Sequence, residues 1–129
     1  MKFLLDSNAV VAILKGGADI RERLRRYEPD DFGIPAVVAH ELFYGAYKSA
    51  RMAENLARVE ALQFEVVNFD RDDARKAGEL RARLAVAGAP IGPYDVLIAG
   101  QALSRSLRLV THNTREFARV PKLRIEDWE

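Results

Sequence analysis

Several carboxylates in this sequence stand where a strand or a helix is expected to begin or end. Asp6 directly follows the apolar run Phe3-Leu4-Leu5, and Thr111, His112 and Asn113 follow Leu109-Val110, with Glu116 just beyond. In open parallel sheets the site forms at the carboxyl ends of the strands. Asp6 would serve equally well as a helix N-cap. Glu41 lies inside Val37-Val38-Ala39-His40-Glu41-Leu42-Phe43, with Val37 and Gly45 rather than a basic residue at i±4. An ionised carboxylate on an apolar helix face is costly unless a cation meets it; otherwise Glu41 marks a solvated edge. Asp95 falls in the first turn predicted for Pro93-Tyr94-Asp95-Val96-Leu97-Ile98-Ala99-Gly100. There the helix dipole favours the ionised form, so a purely stabilising role is open too. As a set, Asp6, Glu41, Asp95 and Glu116 are hard oxygen donors of the kind magnesium takes. A site built from them can activate water and stabilise the charge on a scissile phosphate. Spacing alone does not bring the four together.

Other chemistries find little support. His40-Glu41 begins like the helical zinc motif HExxH, but position 44 is Tyr. With two histidines and no cysteine, a zinc site is not expected, and disulfides are excluded. There is no glycine-rich phosphate loop and no Gly-x-Ser-x-Gly elbow. Arg21, Arg23, Arg25 and Arg26 resemble a nucleic-acid patch. However, Asp19–Arg23 and Glu22–Arg26 are spaced as i,i+4 pairs, which predicts a solvated helix face, and Arg75, Glu79 and Arg83 form a similar ladder. Tyr44 and Tyr47 could stack on bases, but their helical spacing favours packing in the core or at an interface. A phospho-receiver module would also place acids at strand ends, with Asp70 as acceptor. Receivers need a lysine after a late strand, and here His112-Asn113 follows Thr111.

The elements that must position these groups alternate between two periods. Short apolar runs at Phe3–Leu5, Phe32–Ile34, Phe64–Phe69 and Arg108–Thr111 read as strands, with Leu123–Ile125 as a candidate fifth. Helices are predicted from Ser7 to Leu14, around Ile20, Leu24 and Tyr27, and from Pro35 to about Ser49. A partner helix turns Met52, Leu56, Val59 and Leu62 to one face. The next is capped by Asp70 with Asp73, buries Ala77, Leu80, Leu84 and Ala87, and ends at Gly88. A last helix runs from Pro93 to Ser106. Strands alternating with helices predict an α/β fold with a mainly parallel sheet. The 129 residues, 49% hydrophobic and 30% charged, predict one domain over residues 1–129. The early Asp6 argues against a signal peptide, no apolar stretch reaches a membrane span, and a cytoplasmic protein is expected. The net charge is +1, from 20 basic and 19 acidic residues, without the basic excess common in nucleic-acid binders. Any RNA contact must then come from local patches and bound metal.

Leu4-Leu5-Asp6-Ser7-Asn8 resembles the LLDTN opening of the VapC-type toxin ribonucleases of the PIN-domain family. Glu41-Leu42-Phe43-Tyr44-Gly45-Ala46 is similar to their E-L-x-x-G-A helix, and Pro90 to Ala99 to their IGPxDxLIA segment. Leu109-Val110-Thr111-His112-Asn113-Thr114-Arg115-Glu116-Phe117 is similar to their VT-x-N-T-R-E-F block, and the Glu126-Asp127-Trp128 tail also fits. Each motif is weak alone; in order along nearly the whole chain they are specific. The resemblance implies a PIN-like three-layer sandwich, with a mainly parallel sheet of about five strands flanked by helices. It implies an endoribonuclease dependent on magnesium or manganese, the toxin of a type II toxin–antitoxin pair, which inhibits translation by cutting RNA, with tRNA the expected substrate. It carries the catalytic acids to Asp6, Glu41 and Asp95, and the metal to Asp6 and Asp95. The fourth position falls to Glu116 or Asn113, with Ser7 and Thr111 in support. It further implies a homodimer, a VapB-like antitoxin that blocks the site, and operator DNA reached only through that antitoxin.

Overall fold

Phe3, Leu4 and Leu5 alternate sides along their strand, yet none is more than 1% exposed, so both faces of the sheet are covered there. In the computed structural model, which describes residues 1–129, this strand, β1 (Phe3–Leu5), is the centre of a five-stranded sheet. The others are β2 (Phe32–Pro35), β3 (Glu65–Val67), β4 (Arg108–Val110) and β5 (Ile125–Glu126), in the order β3-β2-β1-β4-β5. Every pairing is parallel, so the sheet is wholly rather than mainly parallel. The helices are α1 (Ser7–Leu14), α2 (Ala18–Leu24), α3 (Ala36–Lys48), α4 (Met52–Glu60), α5 (Arg71–Val86), α6 (Pro93–Ser104) and α7 (Thr114–Phe117). No helix is long and apolar enough to cross a membrane.

The boundaries differ from expectation where side-chain and backbone demands compete. Pro35 closes β2 and caps α3 instead of opening it. The third strand is trimmed to three residues, and the fifth shifts to Ile125–Glu126. The single turn α7 carries no periodicity and was not expected. Ala87 lies past the end of α5 and is exposed, not buried. On α4, Met52 is 45% exposed and no residue is fully buried, so its apolar stripe is only half covered. Of the charge ladders, Arg23 pairs with Glu126 at 3.1 Å and lies over Trp128, while Glu79 pairs with Lys76 at 3.1 Å. Neither expected i,i+4 set forms as ion pairs, and Glu22 pairs with Arg25 at 3.5 Å instead.

Two packing features hold the frame. Phe3, Tyr27, Phe32, Phe64 and Trp128 form one aromatic cluster, with Phe3–Phe32 stacked at 5.4 Å and Tyr27–Trp128 at 5.8 Å. It ties the end of the chain to the first strand. Helices α5 and α6 meet at Gly100, where a Cβ would stand 2.5 Å from the Cα of Ala77. Only glycine permits that approach, which holds α6 against its neighbour.

Candidate active site

The chain leaves β1 for β2 and β3 on one side and returns for β4 and β5 on the other, so the sheet order reverses at β1. A crevice opens at such a reversal, beyond the carboxyl ends of the strands. Leu5 is in register with Val110, and the Asp6 amide donates to the Val110 carbonyl at 3.0 Å. Asp6 and Thr111 therefore emerge side by side. The Thr111 hydroxyl donates to Asp6 Oδ2 at 2.8 Å. The Ser7 amide donates to Oδ1 at 2.9 Å, making Asp6 the N-cap of α1, and Asn8 Nδ2 donates to Oδ2 at 3.2 Å. The two readings of Asp6, cap and site residue, are thus compatible. Burial raises the Asp6 pKa above its ordinary value, against the pull of these three donors.

Helix α3 presents Glu41 to the same crevice, where the Ser7 hydroxyl donates to Glu41 Oε1 at 3.0 Å. Helix α6 brings Asp95 in its first turn. Helix α7 brings Glu116, whose Oε1 accepts the Gly92 amide at 2.6 Å and whose Oε2 accepts Asn113 Nδ2 at 2.9 Å. Glu116 lies inside the cluster and not at its rim, while Asn113 holds it there. The Asn113 amide in turn donates to Thr111 Oγ1 at 3.0 Å.

Proximity of the acids is visible in their electrostatics. Asp95 is pushed up to about 7 by burial, by its hydrogen bond with Glu116, and by the negative charges of Glu116, Asp6 and Glu41. Glu116 is held below its ordinary value, first by the Gly92 amide and then by Asn113. Of the two, Asp95 is therefore the one that binds a proton more readily. No lysine, arginine or histidine side chain is hydrogen-bonded to any of these carboxylates. A hard divalent cation fits this donor set, because the four carboxylates carry no ion pair and Arg119 reaches only Glu116, through space.

Two contributors were missed from sequence. Asn8 bridges the strand ends, donating to Asp6 and, at 3.4 Å, to Thr111, while its Oδ1 accepts the His112 amide at 2.8 Å. Its place in the Asp6-Ser7-Asn8 run was the only signal. Gly92 lends its amide to Glu116, and a Cβ there would stand 3.2 Å from Asp95 Oδ2 and 3.5 Å from Glu116 Oε1. His112 turns away from the acids, its ring bonding to Asp127 at 3.1 Å. Asp70, the position a phospho-receiver would use, caps α5.

Comparison with known proteins agrees with this geometry. The family model of the PIN domain matches residues 3–123. The chain is 44% identical to the tRNA(fMet)-specific endonuclease VapC of Salmonella typhimurium, over 99% of this chain and 98% of that relative. The crystal structure of DNA-bound VapBC from Salmonella typhimurium contains a chain with a TM-score of 0.95 and 44% identity, covering 100% of this chain and 99% of that one. VapBC2 of Rickettsia felis, bound to a DNA fragment from its promoter, gives a TM-score of 0.94 at 31% identity, with both chains covered in full.

Proposed function

Because this chain belongs to the PIN-domain family, and within it resembles the VapC ribonucleases over its whole length, we propose that it is a divalent-metal-dependent endoribonuclease that cuts tRNA. The observation that carries the reading is the cluster of Asp6, Glu41, Asp95 and Glu116, carboxylates without an ion pair, at the sheet's reversal point. Asp6 and Asp95 would hold a magnesium or manganese ion. When bound, such an ion lowers the pKa of water toward neutrality and stabilises charge on a phosphoryl oxygen.

The chain's own groups have separable tasks. Thr111, Asn8 and the Ser7 amide orient the Asp6 carboxylate. Ser7 holds Glu41 toward the crevice. Asn113 and Gly92 fix Glu116, which keeps a proton on Asp95 until a cation displaces it. With the cation present, the acid whose charge is least neutralised is the one suited to accept a proton from the attacking water. Glu41 fits that part best, since its one hydrogen bond comes from a neutral hydroxyl.

The partner reading follows from shape. A groove of about 370 Å³ between α1, α3 and α4 is lined by Val11, Leu14, Leu42 and Val59, with Lys15 and Arg58 among its polar residues, and includes Ser7 and Glu41. It fits an extended tail of a VapB-like antitoxin, the partner in the solved VapBC relatives. Such a tail would end in a basic side chain among the acids, since guanidinium matches carboxylates bidentately. Operator DNA would be reached through that antitoxin, and the toxin would act in the cytoplasm as a homodimer.

The test is cleavage of tRNA by the purified protein. Cutting is expected with magnesium or manganese, and neither in excess EDTA nor by Asp95→Asn. Undiminished cutting in EDTA would sink the metal-dependent mechanism.

A further inference from the structure

All but one of the aromatic pairs lie in the core cluster around Phe3 and Phe32. The exception is His40–Tyr94, an edge-to-face contact at 5.4 Å joining α3 to α6. His40 immediately precedes Glu41 and Tyr94 immediately precedes Asp95, so the pair lies on the same turns of α3 and α6 that carry two of the acids. His40 is exposed, and Tyr94 is 49% exposed. One turn along α3, Tyr44 is 61% exposed, with the Lys48 ammonium 5.5 Å from its ring centroid. Core packing therefore does not account for these rings.

The charge balance says what they would meet. The site itself is acidic and repels phosphate, and the whole chain carries a net charge of only +1. The chain as a whole thus offers backbone phosphates no basic field, a source on which most RNA binders draw heavily. A neutral contact has to do more, and every base offers a π-face to an aromatic ring. We propose that the His40–Tyr94 pair, extended by Tyr44, is a nucleobase subsite that stacks an unpaired base next to the scissile phosphate. This rests on the ribonuclease reading. Tyr94 acts here as a binding residue: its ring adds affinity for the base, while alignment of the phosphodiester is left to the groups around Asp95 and Glu41. Lys48, beside Tyr44, is placed to meet a phosphate farther along the strand.

Binding and cutting test this separately. A short single-stranded oligoribonucleotide carrying 2-aminopurine, held in EDTA at low salt, reports stacking by loss of its fluorescence. Wild type is expected to quench it, and the same sequence as a blunt duplex is not. Tyr94→Ala should bind about fivefold or more weakly, the lower end of one lost base stack. Tyr94→Phe should bind like wild type, because the ring and not the hydroxyl matters. In magnesium, Tyr94→Ala should raise KM for tRNA with kcat little changed, and its melting temperature should match wild type. Quenching and KM unchanged in Tyr94→Ala, while Asp95→Asn abolishes cutting, overturns the subsite and leaves the nuclease reading intact. Failure of wild type both to cut tRNA and to quench the probe overturns both. A drop in molecular mass on light scattering with RNA affinity unaltered assigns the rings to a contact between two copies, which also overturns the subsite.

Discussion

Burial, and then the facing carboxylates Glu116, Asp6 and Glu41, push Asp95 up to about 7, so that it titrates near neutral pH. Its value in the unfolded chain is 3.8 and in the fold about 7. The fold binds this proton more tightly, so the metal-free protein loses stability as pH rises from about 4 through 7. A divalent ion must displace the same proton, so magnesium affinity should climb up to about tenfold per pH unit below 7 and level off above it. Titration calorimetry at pH 6 and pH 8 measures this; equal affinities would show that Asp95 does not ligate. Asp95→Asn removes one repelling charge with little change of shape. At pH 8 the metal-free variant should melt at or above metal-free wild type, yet lose most of its response to magnesium. If Asp95 served only the helix dipole, Asn would instead cost a few tenths of a kcal/mol and leave that response intact.

At the scale of elements, the alignment of α6 decides where Asp95 sits. A second network secures that helix far from the crevice. Asp73, 1% exposed in its side chain, accepts from Arg105 at 2.9 Å and from Gln101 at 3.1 Å, besides forming a capping box with Asp70. These bonds hold the Asp73 carboxyl below its ordinary value, with Arg105 the chief stabilising partner. Asp73 therefore contributes stability at neutral pH that is lost on acidification, the opposite sign to Asp95. Arg105→Ala would leave a buried carboxylate without its cation, at a cost of about 3–5 kcal/mol. Urea titration should register that loss, and cutting per folded molecule should fall with it, because Asp95 rides on the helix that this network secures. A variant as stable as wild type would show that water replaces the guanidinium. Gly100→Val should also destabilise, by about 1–3 kcal/mol or more, because the Ala77 backbone has no room to yield.

For the whole molecule, charge is nearly balanced while the site is strongly acidic. Magnesium binds only the folded arrangement, so at about ten times its dissociation constant it should add roughly 1.4 kcal/mol. In a domain of this size that is a melting shift of about 3–7 °C, readable in a thermal scan. The same balance predicts a shallow salt dependence for RNA binding. With few phosphate contacts, the slope of log affinity against log salt should be less steep than about −3. A slope near −10 would show a basic surface that the net charge conceals, and would shift recognition from bases to phosphates.

Much of the frame was legible in the residues. Uninterrupted apolar runs such as Phe3–Leu5 can be stable only inside a covered parallel sheet, and Asp70 with Asp73 spells out a helix start. The ordered motifs around Asp6, Glu41, Asp95 and Asn113–Glu116 pointed to the family and to its acids. Those signals are local, and local signals survive in sequence. What tertiary structure alone decided are relations between distant segments. The family resemblance left Glu116 and Asn113 as alternatives for one position. The fold makes them partners, because the turn after β4 sets Asn113 against Glu116 while the Gly92 amide, 24 residues away, fixes its other oxygen. Asn8 belongs to the site only because β1 and β4 are neighbours in register. Tyr44 was expected by its spacing to pack in the core or at an interface, and the fold leaves its ring outside the core, 61% exposed. Helical period tells which residues share a face; only the packing of the other helices tells whether that face is covered.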